Sequence, residues 1–268
     1  NDVRWIVIIF FLMEIIPAID LLNGKCVRLN QGNYNEVTKF NSDPVKQAQI
    51  WESHGAKRLH LVDLDGAKTG EPINDQTIKE IKKSIKIPIQ LGGGIRTADR
   101  AKELFGIGID RIILGTSAIE DPNLVGVLSQ EYPKRVAVGI DSREGIVATR
   151  GWLKQSEITS LDLAKQLNDL ELAAIISTDI ATDGTLEGPN IQALREISEI
   201  SSNPVIASGG IGSIADLISL ADLEKEGIKG VIVGRALYDG SIDLKEAILI
   251  LKNLLLQDSV DNKDRFIV

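Results

Sequence analysis

Eight times along this chain a short β-branched run is followed by a segment with helix start signals, and the second half repeats the first. No other feature narrows the possible folds as far. Strands are expected at 15–20, 59–64, 87–91, 111–114, 135–140, 173–178, 204–207 and 230–233. Helices are expected at about 44–54, 74–84, 97–105, 122–130, 160–169, 189–200, 213–222 and 243–256. Asp43-Pro44 and Asp121-Pro122 each put a capping side chain before a proline at the first helical position, where a missing N–H costs nothing. Gly55 suits a left-handed helix end. The strand runs are apolar on both faces, the mark of parallel strands covered by helices.

The repeat is explicit. Ile15-Ile16-Pro17-Ala18-Ile19-Asp20 and Val136-Ala137-Val138-Gly139-Ile140-Asp141 each end in an aspartate, 121 residues apart. Gly92-Gly93-Gly94-Ile95-Arg96 and Leu114-Gly115-Thr116-Ser117 follow the first; Ser208-Gly209-Gly210-Ile211-Gly212 and Val233-Gly234-Arg235-Ala236 follow the second. Leu61-Val62-Asp63 is matched to Ile176-Ser177-Thr178, and Glu71-Pro72 echoes Glu187-Gly188-Pro189. The halves, 14–134 and 135–256, read as two four-strand units, neither able to close a barrel alone. A doubly wound sheet would have fewer strands and a glycine-rich turn after strand 1, where the chain reads Leu21-Leu22-Asn23-Gly24-Lys25. The expected fold is therefore a (β/α)8 TIM barrel with a two-fold internal repeat of half-barrels, one domain over 14–256. Residues 1–13 stand outside the pattern as an N-terminal extension, and 257–268 form a polar tail expected to be mobile. The apolar run Trp5–Leu12 is far shorter than the roughly 20 residues that span a bilayer, and no small-residue cleavage site follows it. Residues 1–12 are read as upstream sequence or a start-site artefact.

A net charge of −8 and a pI near 5.0 speak against a nucleic-acid surface. Phosphorylated metabolites remain open, because backbone amides and one or two local cations hold them. A single cysteine, Cys26, rules out an internal disulfide and fits the reducing cytoplasm. His54 and His60 are too few for a metal site or a histidine triad. No cofactor, metal, nucleic acid or membrane partner is expected, and the chain is expected to be a monomer acting on a small bisphosphorylated molecule.

At the C-terminal ends of barrel strands, residues face the active site. The glycine turns place Gly94, Arg96, Gly115, Thr116 and Ser117 in one candidate anion cradle and Ser208, Gly209, Gly210, Gly234 and Arg235 in another. Four such turns paired by the repeat exceed what ordinary tight turns require. Asp20 and Asp141 end opposed strands between the cradles and are the candidate acid–base pair, provided their environments differ. Asp183-Gly184-Thr185 and Thr178 add polar groups from strand 6 and its loop. Trp152 fits an aromatic lid over a flat heterocycle. Arg28 and Arg150 read equally as loop charges or substrate contacts; His60, Asp63 and Cys26 read as structural, and Trp51 as outer packing.

Taken together, Ile16-Pro17-Ala18-Ile19-Asp20-Leu21, Gly24-Lys25-Cys26-Val27-Arg28-Leu29, Leu61-Val62-Asp63-Leu64-Asp65-Gly66-Ala67, Gly92-Gly93-Gly94-Ile95-Arg96, Gly151-Trp152, Thr182-Asp183-Gly184-Thr185 and Gly230–Leu237 resemble a known family. It is the histidine-biosynthesis isomerase family acting on N′-(5′-phosphoribosylformimino)-5-aminoimidazole-4-carboxamide ribonucleotide (ProFAR), and the match covers 14–256. The resemblance implies an aldose–ketose (Amadori) isomerisation without a cofactor. It implies Asp141 as the general acid that opens the ribose ring and Asp20 as the base that takes the C2 proton. Thr178 and Asp183 would assist, and Trp152 would lie against the substrate. The related cyclase of imidazole glycerol phosphate synthesis usually reads Cys-Leu-Asp at the first strand end with a lysine soon after; here Ala18-Ile19-Asp20 and Arg28 stand instead. A dual-substrate relative that also isomerises phosphoribosylanthranilate, and a non-catalytic phosphate-binding barrel, are the alternatives.

Overall fold

The computed structural model describes residues 13–41 and 43–264; the segment 1–12 lies outside the described residues. The chain begins with β1 (Glu14–Leu22), a hairpin of β2 (Lys25–Asn30) and β3 (Asn33–Asn41), and α1 (Pro44–Ser53). Next come β4 (Leu59–Asp63) with α2 (Leu64–Thr69) and α3 (Asp75–Ser84), then β5 (Ile89–Gly92) with α4 (Ala98–Gly106). The first half closes with β6 (Arg111–Leu114), α5 (Thr116–Glu120) and α6 (Pro122–Glu131). The second half opens on β7 (Val136–Arg143), a hairpin of β8 (Ile146–Thr149) and β9 (Lys154–Thr159), and α7 (Ser160–Gln166). β10 (Ala174–Asp179) with α8 (Ile191–Ile200) and β11 (Val205–Ser208) with α9 (Ile214–Ala221) follow. The last unit is β12 (Ile228–Val233) with α10 (Arg235–Tyr238) and α11 (Leu244–Asp264).

Strands β1, β4, β5, β6, β7, β10, β11 and β12 pair in parallel, and β12 returns to β1 to close the ring. This is the (β/α)8 barrel expected, and each expected strand overlaps one of these eight. Two apolar layers explain why the strands read as apolar on both sides. Ile16, Ala18, Ile113, Ala137, Ala174, Ile176, Ile206 and Ile232 pack inside the ring, while a larger cluster including Ile19, Leu61, Leu91, Ile112, Val138 and Ile175 packs outward under the helices. The predicted caps form: Asp43 accepts from the Lys46 amide at 3.0 Å and Asp121 from the Leu124 amide at 3.3 Å. Helix α11 runs to Asp264, beyond the expected end near 256 and into the tail.

Two features depart from the expectation. The hairpins β2–β3 and β8–β9 have no counterpart among the expected strands, because β3 and β9 are polar and largely exposed and no apolar run marks them. The two-residue turns that lead into them, from β1 to β2 and from β7 to β8, carry a conformational signature instead: Asn23 and Gly24 sit at φ 50° and 72°, Glu144 and Gly145 at 52° and 77°. Consecutive left-handed residues form the two-residue turn whose twist matches a hairpin, and Asn-Gly is its strongest sequence signal. The register of the repeat also shifts by one residue. Asp20 lies opposite Val62 and Asp141 opposite Thr178, so Thr178 corresponds to Val62, and Asp63 corresponds to Asp179. Both of these aspartates accept from an asparagine 11 residues onward, Asn74 at 2.6 Å and Asn190 at 2.6 Å. Asp63 thus closes a loop, as read from sequence, and its carboxyl also caps α2 through the Gly66 amide at 2.8 Å.

Gly93 (φ 106°) has its Cα pressed against the Asp63 carbonyl, where a Cβ would collide. Gly93→Ala is expected to cost more than about 2 kcal/mol, combining left-handed strain with a backbone clash. Gly126 lies inside α6 with nothing within 4 Å of an added Cβ, so Gly126→Ala is expected to stabilise by about 0.5–1 kcal/mol. Chemical denaturation of the two variants checks both signs.

Candidate active site

Barrel closure brings the C-terminal ends of β1, β4–β7 and β10–β12 to one rim, and the residues nominated from the sequence line a single cavity there, except Thr185, whose hydroxyl turns back to the Thr182 carbonyl at 2.8 Å. The cavity also takes in Arg28, Tyr34, His60 and Arg150. Asp63 is buried and does not line it.

Asp20 and Asp141 end their strands in unlike surroundings. Asp20 Oδ2 accepts from Arg28 Nη1 at 2.6 Å, a charge-assisted bond across the first turn of the β1–β2 hairpin. Asp141 has neutral donors: the Trp152 indole N–H at 2.9 Å and the Thr178 hydroxyl. Burial pushes both carboxyls above the usual range. Against that shift Asp20 has a full positive charge and Asp141 only dipoles, so Asp141 is the better proton holder and Asp20 the better carboxylate. Asp183 is a third member: burial and the repulsion of Asp20 and Asp141 push it up to about 6, with Arg28 opposing. Arg28 is therefore the cation shared by two carboxyls, a role its sequence position in a presumed loop did not disclose.

The two hairpins meet above this cluster. The Gln31 side chain donates to the Ala181 carbonyl at 2.6 Å, and its backbone N–H to the Asp183 carbonyl at 3.3 Å, so the tip of β2–β3 is tied to the loop after β10. Gly32 at that tip lies flat on the Trp152 ring, where any side chain would collide. A Cβ at Gly151 would come within 2.7 Å of the Tyr34 hydroxyl. Arg150, Gly151 and Trp152 run through three successive left-handed conformations, φ 55°, 65° and 68°. That backbone is sparsely populated for a residue as bulky as tryptophan and turns the indole inward onto Asp141. Arg150 itself points to the rim, bonded to both oxygens of Glu120 at 2.9 Å.

On either side of the carboxyls lie the glycine turns. Gly115 and Gly234 precede α5 and α10 with no side-chain cap, so the first amides of each turn have no side-chain acceptor at the cap. These helices are too short for a large dipole, and the donors are the amides themselves. The two hydroxyls expected at the first cradle are partly committed. Ser117 donates to the Ile95 carbonyl at 2.6 Å, and Thr116 accepts from the Arg150 amide at 2.8 Å, its own proton having no acceptor among the described residues. At the second cradle the Arg28 guanidinium covers Gly234 so closely that a Cβ would overlap it, and its Nε and Nη2 are buried without a partner among the described residues. Arg235 reaches across to the Gly184 carbonyl at 2.6 Å.

The chain is similar to known proteins along nearly its whole length. The chain is 87% identical over 256 residues, covering 96% of its own length and 100% of the relative, to the 1-(5-phosphoribosyl)-5-((5-phosphoribosylamino)methylideneamino) imidazole-4-carboxamide isomerase of Prochlorococcus marinus (strain NATL1A). Proteins of the same name match at 63% over 250 residues in Prochlorococcus marinus (strain MIT 9211), covering 93% of this chain and 98% of the relative, and at 62% over 246 residues in Synechococcus sp. (strain CC9902), covering 92% and 96%. The family profile described as "Histidine biosynthesis protein" matches residues 14–243, from the first barrel strand to the start of the last helix. By that match and by identity along nearly its whole length, the chain belongs to the histidine biosynthesis protein family.

Proposed function

We propose that this chain is an enzyme that carries out the isomerisation for which its relatives are named. The carrying observation is a correspondence of shape and chemistry. The relatives' substrate name contains two phosphoribosyl groups, and the cavity holds two uncapped glycine turns flanking a pair of opposed carboxyls. One phosphate would lie on the amides of 115–117, the other on those of 209–210 and 234–235, where the unpaired Nε and Nη2 of Arg28 add charge.

In this reading Asp141 gives its proton to the ring oxygen of one ribose, opening it to a Schiff base. The indole N–H of Trp152 and the Thr178 hydroxyl then stabilise the carboxylate left behind. Asp20, whose carboxylate form the Arg28 guanidinium favours against the upward push of burial, removes the C2 proton, and the enol formed becomes the ketose. No electron leaves the substrate, so no redox group is needed. The hairpin contact over Trp152 excludes water from the open-chain intermediate. The single buried cysteine and the biosynthetic role named in the relatives support a cytoplasmic setting. Among the described residues, no helix is long and apolar enough to cross a membrane.

Asp20→Asn and Asp141→Asn are each expected to lower kcat by about 10²–10⁴ with a far smaller change in KM. Steady-state assay on the bisphosphorylated substrate, with no metal or cofactor added, checks this; near-normal kcat in both variants would sink the assignment. Asp183 yields a stability prediction with a definite sign. Its folded pKa, about 6, lies above the ordinary value of 3.8, so its ionised form is disfavoured by folding. That cost is absent below about pH 4, grows through pH 6 and is complete above it. Asp183→Asn is expected to raise stability above pH 6 by up to about 3 kcal/mol and to have no such effect near pH 4, while slowing turnover. Urea titrations at the two pH values read this directly.

A further inference from the structure

The repeat breaks down just below the two aspartates. His60, Gln90 and Arg111 are consecutive cross-strand neighbours on β4, β5 and β6. Their two-fold counterparts on β10, β11 and β12 are Ile176, Ile206 and Gly230, joined by the same register. One half of the barrel interior is apolar at this level; the other carries an imidazole, an amide and a guanidinium. Gln90 is wholly buried, and such a group inside a barrel is costly unless its hydrogen bonds are made.

They are made in one sense only. Arg111 Nη1 donates to Gln90 Oε1 at 3.1 Å, and Gln90 Nε2 lies 2.9 Å from His60 Nδ1. A guanidinium has donors and no acceptor, so it dictates which end of the Gln90 amide faces it. The amide NH2 is thereby turned to His60, whose Nδ1 must accept. In a neutral ring with Nδ1 accepting, the proton sits on Nε2. His60 lines the cavity, and among the described residues it makes no second hydrogen bond. Burial and the nearby Arg28 act in the same direction, pushing the ring down to about 3, while Arg111, lowered to about 10 by burial and Arg58, stays cationic at neutral pH.

We propose that Arg111 and Gln90 are positioning residues that lock His60 as a neutral imidazole presenting its Nε2 proton at the cavity floor, as a donor to an acceptor in the uncharged middle of the ligand. The backbone amides of the phosphate turns are related by the repeat and would accept either end of a ligand, and the Arg28 guanidinium on the second turn is one element that breaks this symmetry. The polar half of the floor lies on one side of the barrel only, which also breaks the symmetry, and so sets which phosphoribosyl arm is placed between Asp20 and Asp141. The donor role rests on the function proposed above; the relay itself does not.

The chain has two histidines, which makes the test direct. Two-bond ¹H–¹⁵N spectra, with His54→Gln to assign the signals, are expected to show His60 as the Nε2–H tautomer, unchanged over roughly pH 5 to 8. An Nδ1–H ring, or one that titrates in that window, would overturn the relay, and this arm needs no core variant to fold. Gln90→Glu offers an acceptor in place of the donor. It is expected to move the proton to Nδ1 or to charge the ring, and to raise KM about tenfold with little change in kcat. His60→Asn, which keeps a side-chain N–H, is expected to retain more affinity than His60→Leu. An inverted tautomer with unchanged KM would remove the donor role. The expected spectrum in a protein that did not convert the bisphosphorylated substrate would overturn the functional reading and leave the relay standing.

Discussion

Neither half of this chain can bury the inner faces of its own four strands, so the fold depends on ring closure, β12 onto β1 and β6 onto β7. Closure covers the isoleucines inside the ring and aligns eight strand ends on one rim. The second consequence gives the chain its site. Two aspartates separated by 121 residues become neighbours across a cavity because each ends the first strand of its half. The glycine turns flank them for the same reason, since each follows a later strand of the same half.

The site built on that frame is electrostatically uneven. Of the three buried carboxyls, two share Arg28, which bonds Asp20 and faces Asp183. Placing one cation off-centre lets identical side chains differ: Asp20 is drawn toward its ionised form, while Asp141, held by an indole and a hydroxyl, is left to keep a proton. The arrangement carries a stability cost, seen in the raised Asp183, that a fold optimised for stability alone would not retain. Trp152 in the left-handed region is a second local strain at the same place, held by Gly32 packing on one side and the Asp141 bond on the other.

Much of the barrel was legible because its signals are local. Apolar runs, proline after an aspartate cap and glycine after a helix all act within a few residues, and the eight strands fell where those signals put them. The hairpins were harder. Their strands alternate or are polar, and the clearest mark beside them, the Asn23-Gly24 turn from β1 into β2, is a two-residue signal overshadowed by the strand–helix rhythm. Arg28 went unassigned for the same reason: on a loop its charge would be solvated, and on β2 it is aimed at Asp20. The one-residue slip in aligning the halves had a related origin. Letters matched Asp63 with Thr178, whereas strand pairing sets Val62 against Asp20 and Thr178 against Asp141.

What the sequence determined alone was the alternation of strands and helices, the duplication, and the chemical inventory at the strand ends. These are written in short-range periodicity and in residue types that fill few other roles. Which carboxyl has a cation beside it, which tautomer His60 adopts and how the hairpins close over Trp152 were decided by tertiary structure. Each depends on side chains 8 to 150 residues apart being brought within hydrogen-bond reach, and no local propensity encodes that distance.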